Sequence, residues 1–436
     1  MSRGFPKSRR RADTTCRRRR LPPGRAPRLT RLRPLPDPPT DPLATPPFAP
    51  GCPLSPMHIA YVTDQLLPQT ATDTEQMMSM IGGFETAGAD VTLVKPEHWF
   101  DPEPGRDVIA DYYQIDPTFE VAAVRSAYPN IRGIEKVAQG LVGPQHPAAQ
   151  RADVLYTRTL PILFGALLVG VRPVVYETYR PWPRQQPWSA PIFRGLSQHP
   201  RFLGAVLHSD LARRSYVDAG VDPDRLLTAH NGYDPERLSP RLSRSEARAR
   251  CDLPGGRPTV TYAGRVTMEK GLGLLLEMAR ALPEAQFAIV GSEGEGEVER
   301  QAAALDNVCV VPWQPFDDTV PYLYAADVVV IPPTVAPLQD VGNTVLPMKT
   351  FLYMAAGRAI LAPASPDLQE LLHDGENAAL VPPDDADAAI RRLRKLLNDP
   401  DECDRLGHAA RDDIQEHTWP RRAERVLSFL EERRDR

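Results

Sequence analysis

Tyr262-Ala-Gly-Arg-Val-Thr-Met-Glu-Lys-Gly271 stands between an apolar run, Thr259-Val-Thr-Tyr-Ala263, and a helical pattern over Leu272–Ala281. A short β-branched and aromatic run, then a loop bounded by glycines, predicts a strand whose carboxyl end turns into a helix. A helix N-terminus presents free N–H groups and partial positive charge to an anion. Arg265 adds a planar fork and Lys270 a point charge five residues later, while Gly264 and Gly271 let the backbone approach closely. This combination suits phosphate oxygens; two solvated surface cations are the plainer alternative.

The alternation continues outward from that segment. Downstream, apolar runs at Phe287–Val290, Val308–Val311, Val328–Ile331 and Ile360–Leu361 are separated by helical patterns at Glu295–Leu305, Val320–Ala325, Met348–Ala356 and Pro366–Leu372. Upstream, His58–Thr63 is a strand, Thr74 caps a helix through Ala87, and strands recur at Val91–Val94, Val154–Tyr156, Val174–Tyr176, Gly204–Leu207 and Leu226–Thr228. Residues 100–150 carry no clear period and read as a mixed insertion. Short apolar strands separated by helices predict an α/β protein of parallel sheets covered on both faces. The boundaries expected are a tail over 1–56, a first doubly wound domain over 57–234, a polar linker over 235–258 and a second such domain over 259–410. An amphipathic helix over 411–436 is expected to end the chain and return to the first domain. Two such domains facing each other place ligands in a central cleft, beyond the carboxyl ends of the strands.

The 436 residues carry a formal net charge of −4, which conceals a division at Met57. Residues 1–56 hold 12 Arg and one Lys against three Asp, a charge of +10, together with 14 of the 48 prolines. The remainder is at −14. Clustered arginines and dense proline cannot build a core, so the tail reads as disordered. An upstream start artefact before Met57 is the preferred reading; a transit peptide and a basic arm for an acidic partner are the others. An acidic body argues against nucleic acid as a ligand. The longest apolar stretch, Ile162–Val171, is too short to span a bilayer. Five cysteines without a C-x-x-C spacing support neither a disulfide framework nor a zinc site, and a reducing cytoplasm is the expected setting.

A second segment, Gly342-Asn-Thr-Val-Leu-Pro-Met-Lys-Thr-Phe-Leu-Tyr-Met-Ala-Ala-Gly357, leads from a Pro-rich loop into a helix that Gly357 stops. The N–H groups at 343–345 suit an anion nest; an ordinary helix start with a buried apolar face is the alternative. Gly291-Ser-Glu-Gly-Glu-Gly296 looks like a dinucleotide fingerprint fragment, but its glutamates would repel a pyrophosphate, and it reads as a strand-to-helix turn.

Ala-Gly-Arg-x4-Lys-Gly after a strand, then Asn-Thr-x-x-Pro-x-Lys-x3-Tyr-Met-Ala-Ala-Gly, resembles the donor-binding half of the family-4 retaining glycosyltransferases. Tyr156-Thr-Arg158, Val175-Tyr-Glu177, His208-Ser209, His230-Asn-Gly-Tyr-Asp234 and Asp374-Gly-Glu-Asn377 fall in the same order as in that family. The resemblance implies a GT-B fold, with an acceptor in the first domain and a nucleotide-diphosphate sugar as co-substrate in the second. It implies Arg265 and Lys270 on the donor diphosphate, Gly264, Gly342, Asn343 and Thr344 lining its phosphates, and Trp313 near the base, with a plain core Trp as the alternative. It implies transfer with retention and without a metal or other cofactor. The acceptor, a small molecule, glycan or lipid, is left open, as is peripheral contact with a membrane. Three features depart from the pattern. Thr344 and Leu352 stand where the family carries two Glu, Pro68–Thr74 replaces a Gly-Gly loop, and Tyr179 replaces a His and joins the expected catalytic set. These departures keep two other readings in view: a silent homologue that only binds, and a sugar-nucleotide epimerase.

Overall fold

The computed structural model describes residues 56–69, 71–98, 104–126, 133–336 and 346–434. The basic tail, except for Pro56, lies outside the described residues, as do Gly342, Asn343 and Thr344. In the first half, strands β1 (His58–Val62), β2 (Asp90–His98), β3 (Glu120–Ser126), β4 (Val154–Thr157), β5 (Val174–Thr178), β6 (Phe202–Leu207) and β7 (Leu226–Thr228) form one sheet. Its order is β3-β2-β1-β4-β5-β6-β7, and every pairing is parallel. The second sheet contains β8 (Thr259–Ala263), β9 (Gln286–Ser292), β10 (Val308–Pro312), β11 (Val328–Val330), β12 (Ala359–Pro363) and β13 (Ala379–Val381). Its order, β10-β9-β8-β11-β12-β13, repeats the same winding and is again parallel. Both sheets reverse direction beside their first strand, between β1 and β4 and between β8 and β11. That is where a doubly wound sheet opens a crevice for ligands.

The helices between strands are α1 (Thr72–Thr86), α2 (Arg106–Tyr113), α3 (Ile134–Val142), α4 (Pro147–Arg151), α5 (Leu160–Leu168), α6 (Trp182–Gln185), α7 (Ala190–Ser197) and α8 (Asp210–Asp218) in the first half. The second half has α9 (Arg244–Arg250), α10 (Leu272–Ala281), α11 (Glu297–Ala302), α12 (Phe316–Ala325), α13 (Met348–Ala356), α14 (Ala386–Leu397), α15 (Pro400–Asp413) and α16 (Trp419–Arg434). Strand residues feed the two faces alternately. Ile59 and Tyr61 join one buried cluster with α1 and α16, while Ala60 and Val62 join the other with α5. This period of two explains why the strand runs are apolar throughout.

Several sequence expectations are corrected. The helix expected to start at a Thr74 cap begins at Thr72, and the Thr74 hydroxyl donates back to the carbonyls of Ala71 and Gln69. The helix expected over Pro366–Leu372 is a single turn, Leu368–Glu370. The last helix starts at Trp419 rather than 411; Pro420 has no N–H to give and fits only a first helical turn. Within 100–150, β3 is the edge strand of the first sheet, weakly signalled because Ala122 and Ala123 carry little apolar surface. The helices α3 and α5 cross where a Cβ on Gly165 would lie 1.8 Å from the Gly140 carbonyl oxygen. Their outer sides leave Val137, Leu141, Phe164 and Leu168 exposed. Among the described residues, no helix is long and apolar enough to cross a membrane.

The chain's end returns to its beginning. Trp419, Ala423, Val426 and Leu430 of α16 pack with Met77, Ile81 and Phe84 of α1. The helices approach so closely that a Cβ on Gly83 would stand 2.7 Å from the Trp419 carbonyl oxygen.

Candidate active site

The segment that decides the fold forms the wall of the second sheet's crevice. At the carboxyl end of β8, Gly264 takes φ +141° and donates its N–H to Val290 at 3.0 Å. Opposite it, Gly291 takes φ +114°, and a Cβ there would sit 2.4 Å from the Gly264 carbonyl oxygen. Both positions therefore require glycine. The Tyr262 hydroxyl holds the Arg265 carbonyl at 2.9 Å, and the Tyr353 hydroxyl accepts from the Ala263 N–H at 2.8 Å. Lys270 ends a 3-10 turn and lies exposed; Gly271, at φ +77°, opens α10. A Cβ on Gly271 would meet Thr334, from the loop after β11, at 2.3 Å. The loops after β8 and β11 thus touch at the switch point, and Lys270 stands beside it.

Arg265 projects into solvent with its side chain 62% exposed, and its one ion pair among the described residues, to Glu293, is 3.9 Å long. An arginine held so loosely contributes little to the fold. Trp313, after β10, donates its N–H to Ser292 at 2.6 Å and is 57% exposed, which rules out the core alternative. Leu352, where the resemblance led to a ribose-binding Glu, packs on the apolar cluster beneath α13.

The structure adds a cation to which sequence reasoning gave no role. Lys349 lies in the first turn of α13, its ammonium 3.8 Å from the centre of the Tyr262 ring and next to Gly264. Burial, followed by repulsion from Lys270, pushes its pKa down to about 7. It also sits at the positive end of its helix. Among the described residues no carboxylate pairs with it. The motif contained this lysine; its contacts with β8 depend on tertiary packing and left no trace in spacing.

Tyr179 belongs to the first domain, at the carboxyl end of β5. Its ring centre is 6.2 Å from that of His208, and the Arg180 guanidinium lies 5.5 Å from its centroid. Behind them Glu177 is buried. It accepts from Tyr156 at 2.6 Å, from His208 Nε2 at 2.6 Å and from Arg422 of α16 at 3.0 Å, with Arg158 at 3.9 Å. Burial opposes its charge, but Arg422 and then Arg158 hold the carboxyl well below the usual range. Burial pushes the His208 imidazole down to about 4. An ionised carboxylate only accepts, so Nε2 carries the imidazole proton, and the buried Nδ1 has no partner among the described residues. Arg194, from α7, caps the end of α8 through the Ala219 carbonyl. The Pro181–Pro191 stretch forms the helical turns Trp182–Gln185 and Pro187–Ser189.

The two domains meet through Glu370. Its carboxylate accepts from the N–H groups of Asp210 and Leu211, at the start of α8, at 2.8 and 2.9 Å. His230 Nε2 lies 2.8 Å from the same group.

Comparison with known proteins agrees with this geometry. Residues 257–399 match the family described as glycosyl transferases group 1. The chain is 28% identical over 290 residues to the sulfoquinovosyl transferase SQD2 of Arabidopsis thaliana, covering 62% of this chain and 54% of that protein. It is 29% identical over 237 residues to a phosphatidyl-myo-inositol mannosyltransferase of Mycolicibacterium smegmatis, covering 52% and 57%. The chain thus spans about half the length of the curated relatives it matches. Among solved structures, a glycosyltransferase of Rickettsia africae superposes with TM-score 0.68 at 12% identity, over 87% of this chain and 99% of that one. HepE of Anabaena in complex with UDP superposes at 0.66 and 17% identity, over 86% and 100%. At such identities the likeness concerns the fold: two Rossmann-like domains of the GT-B type.

Proposed function

We propose, on the premise that residues 257–399 match the family described as glycosyl transferases group 1, that the chain transfers a sugar from a nucleotide-diphosphate sugar to an acceptor, with retention and without a metal ion. The observation that carries the reading is the convergence of three basic side chains, exposed Arg265 and Lys270 and buried Lys349, around the glycine-lined crevice between β8 and β11. In this reading Gly264 admits the diphosphate and Arg265 and Lys270 hold its oxygens. As the bond from the anomeric carbon to the diphosphate oxygen breaks, they stabilise the charge that develops. The acceptor hydroxyl attacks the anomeric carbon from the same face and passes its proton to the leaving phosphate. Tyr179 donates a hydrogen bond to a sugar hydroxyl from the first domain, and Trp313 flanks the base. Gly342, Asn343 and Thr344 are proposed to complete the phosphate loop, and the cytoplasm remains the proposed setting.

A panel of nucleoside diphosphates tests the donor, because a ligand at one hundred times its Kd stabilises by about 2.7 kcal/mol. One base should raise the melting temperature above the rest, and its sugar conjugate should be consumed in EDTA when acceptors are supplied. Binding without turnover of any donor would replace the transferase with a silent binding protein. A solved relative in fold was crystallised with UDP-glucose, which makes the uridine conjugates the first to try.

Lys349 gives the donor site a pH dependence. A lysine neutral above about pH 7 must take up a proton when a diphosphate arrives. Donor affinity should therefore fall about tenfold per pH unit above 7, until the raised pKa of the bound state is reached. Lys349→Met should flatten that profile. The same variant should melt higher at neutral pH: the folded pKa lies below the unfolded one, so the native chain binds fewer protons between about 7 and 10.5 and pays for that neutrality. Parallel pH profiles in wild type and variant would remove Lys349 from the donor site.

A further inference from the structure

A second basic cavity lies on the opposite side of the second domain. It is about 750 Å³ in volume and is lined by Arg241, Arg244, Arg248, Arg358, His408 and Arg411, among others. Arg358 directly precedes β12, and Asp327, which pairs with Arg244 and Arg248, directly precedes β11. The cavity therefore sits at the amino ends of the strands, away from the crevice at their carboxyl ends.

Part of this arginine cluster is explained by the fold. Arg241 donates to the carbonyls of Ala355 and Ala356 at the end of α13. Arg248 and Arg358 do the same for Ala325 and Tyr324 at the end of α12. Capping does not explain the rest. Five guanidinium groups face only two carboxylates, Asp327 and Asp404, the second paired with Arg244. The side chains of Arg411 and His408 make no hydrogen bond or ion pair among the described residues, although both line the cavity. The crowding is felt inside it: burial, then Arg244 and Arg241, depress Arg358 to about 10. Capping these four helix carbonyls leaves each arginine with further N–H donors, since a guanidinium has five. The volume falls within the range of small-molecule sites, larger than a lone phosphate requires.

We propose that this cavity binds a small molecule bearing a phosphate group, the arginine forks and His408 holding the phosphate oxygens, at a site separate from the donor crevice. The proposal does not depend on the transferase reading.

The test uses the full chain with the donor crevice saturated by the nucleoside diphosphate that stabilises it most. Inorganic pyrophosphate and glucose 6-phosphate are then titrated, with binding read by calorimetry and melting temperature. Both should bind, and the combined variant Arg411→Ala, His408→Ala should weaken them at least tenfold without changing its own melting temperature by more than about 2 °C. Lys270→Ala should leave their affinity unchanged, since it alters only the other crevice. Three results would overturn the proposal: no heat or shift with either probe, equal binding to the double variant, or an equal shift from sulfate at the same ionic strength.

Discussion

Arg422→Met is expected to lower the stability of the first domain by about 3–5 kcal/mol, the cost of leaving a buried carboxylate without its main partner. Glu177 and Arg422 each have only 2% of their side chains exposed and meet at 3.0 Å. The same guanidinium holds the His230 carbonyl at 3.0 Å and the sulfur of Met80 at 2.8 Å. One side chain on the last helix thus ties together β5, α1 and the segment after β7. Removing it leaves Glu177 its hydrogen bonds from Tyr156 and His208, with Arg158 at 3.9 Å as the remaining cation beside it among the described residues. For an array of this size, a melting temperature lower by about 10 °C is the corresponding reading. The pH dependence has a definite sign. Glu177 titrates well below its unfolded value in the native chain, so its pairing stabilises above the unfolded pKa and is lost as pH falls through the folded one. The difference between wild type and Arg422→Met should therefore be full at pH 7 and shrink in acid. Adding Glu177→Gln to Arg422→Met should recover part of the loss, because the orphaned charge goes with it. A melting temperature lowered by less than 2 °C in the single variant would mean that α16 is held by its apolar face alone.

What the sequence made legible follows from the range of the interactions concerned. Strands such as Thr259–Ala263 and Val174–Thr178 were readable because burial on both faces makes them apolar throughout, a local property. The glycines at 264 and 271 were readable as turn residues, although the reason Gly271 must be glycine, the approach of Thr334, is a contact between distant loops. The edge strand β3 was not legible, since an edge buries less and tolerates alanine and charge. Nor was the clustering of Tyr156, Glu177, His208 and Arg422, which lie on four elements up to 266 positions apart and share no period. Lys349 illustrates the same limit at the candidate site. Its neighbours in sequence are an apolar helix, and only the folding of α13 against β8 shows its ammonium on Tyr262 beside Lys270.

Arg265→Ala and Lys270→Ala should each reduce transfer by about 10²–10³-fold, the loss seen when one preorganised charge-stabilising group is removed. Both residues are exposed, and among the described residues Arg265 pairs with Glu293 alone, at 3.9 Å. Their removal should therefore leave the melting temperature of the free chain within about 2 °C, in contrast to Arg422→Met. Two features of the kinetics separate stabilisation of the leaving diphosphate from simple attraction of the donor. Uniform binding would raise KM and leave kcat unchanged, whereas a group acting on developing charge lowers kcat as well. Lys270 has a second effect to lose. Its charge helps to depress Lys349, so Lys270→Ala should let Lys349 titrate higher and shift the donor-affinity profile toward alkaline pH. Glu293→Gln provides the control: freeing Arg265 from its one carboxylate neighbour should leave transfer unchanged or slightly faster. If both alanine variants kept full kcat and KM, the diphosphate would have to be bound elsewhere. If they lost kcat but kept the wild-type affinity for the nucleoside diphosphate product, the two cations would act on the bond being broken and not on holding what is left behind.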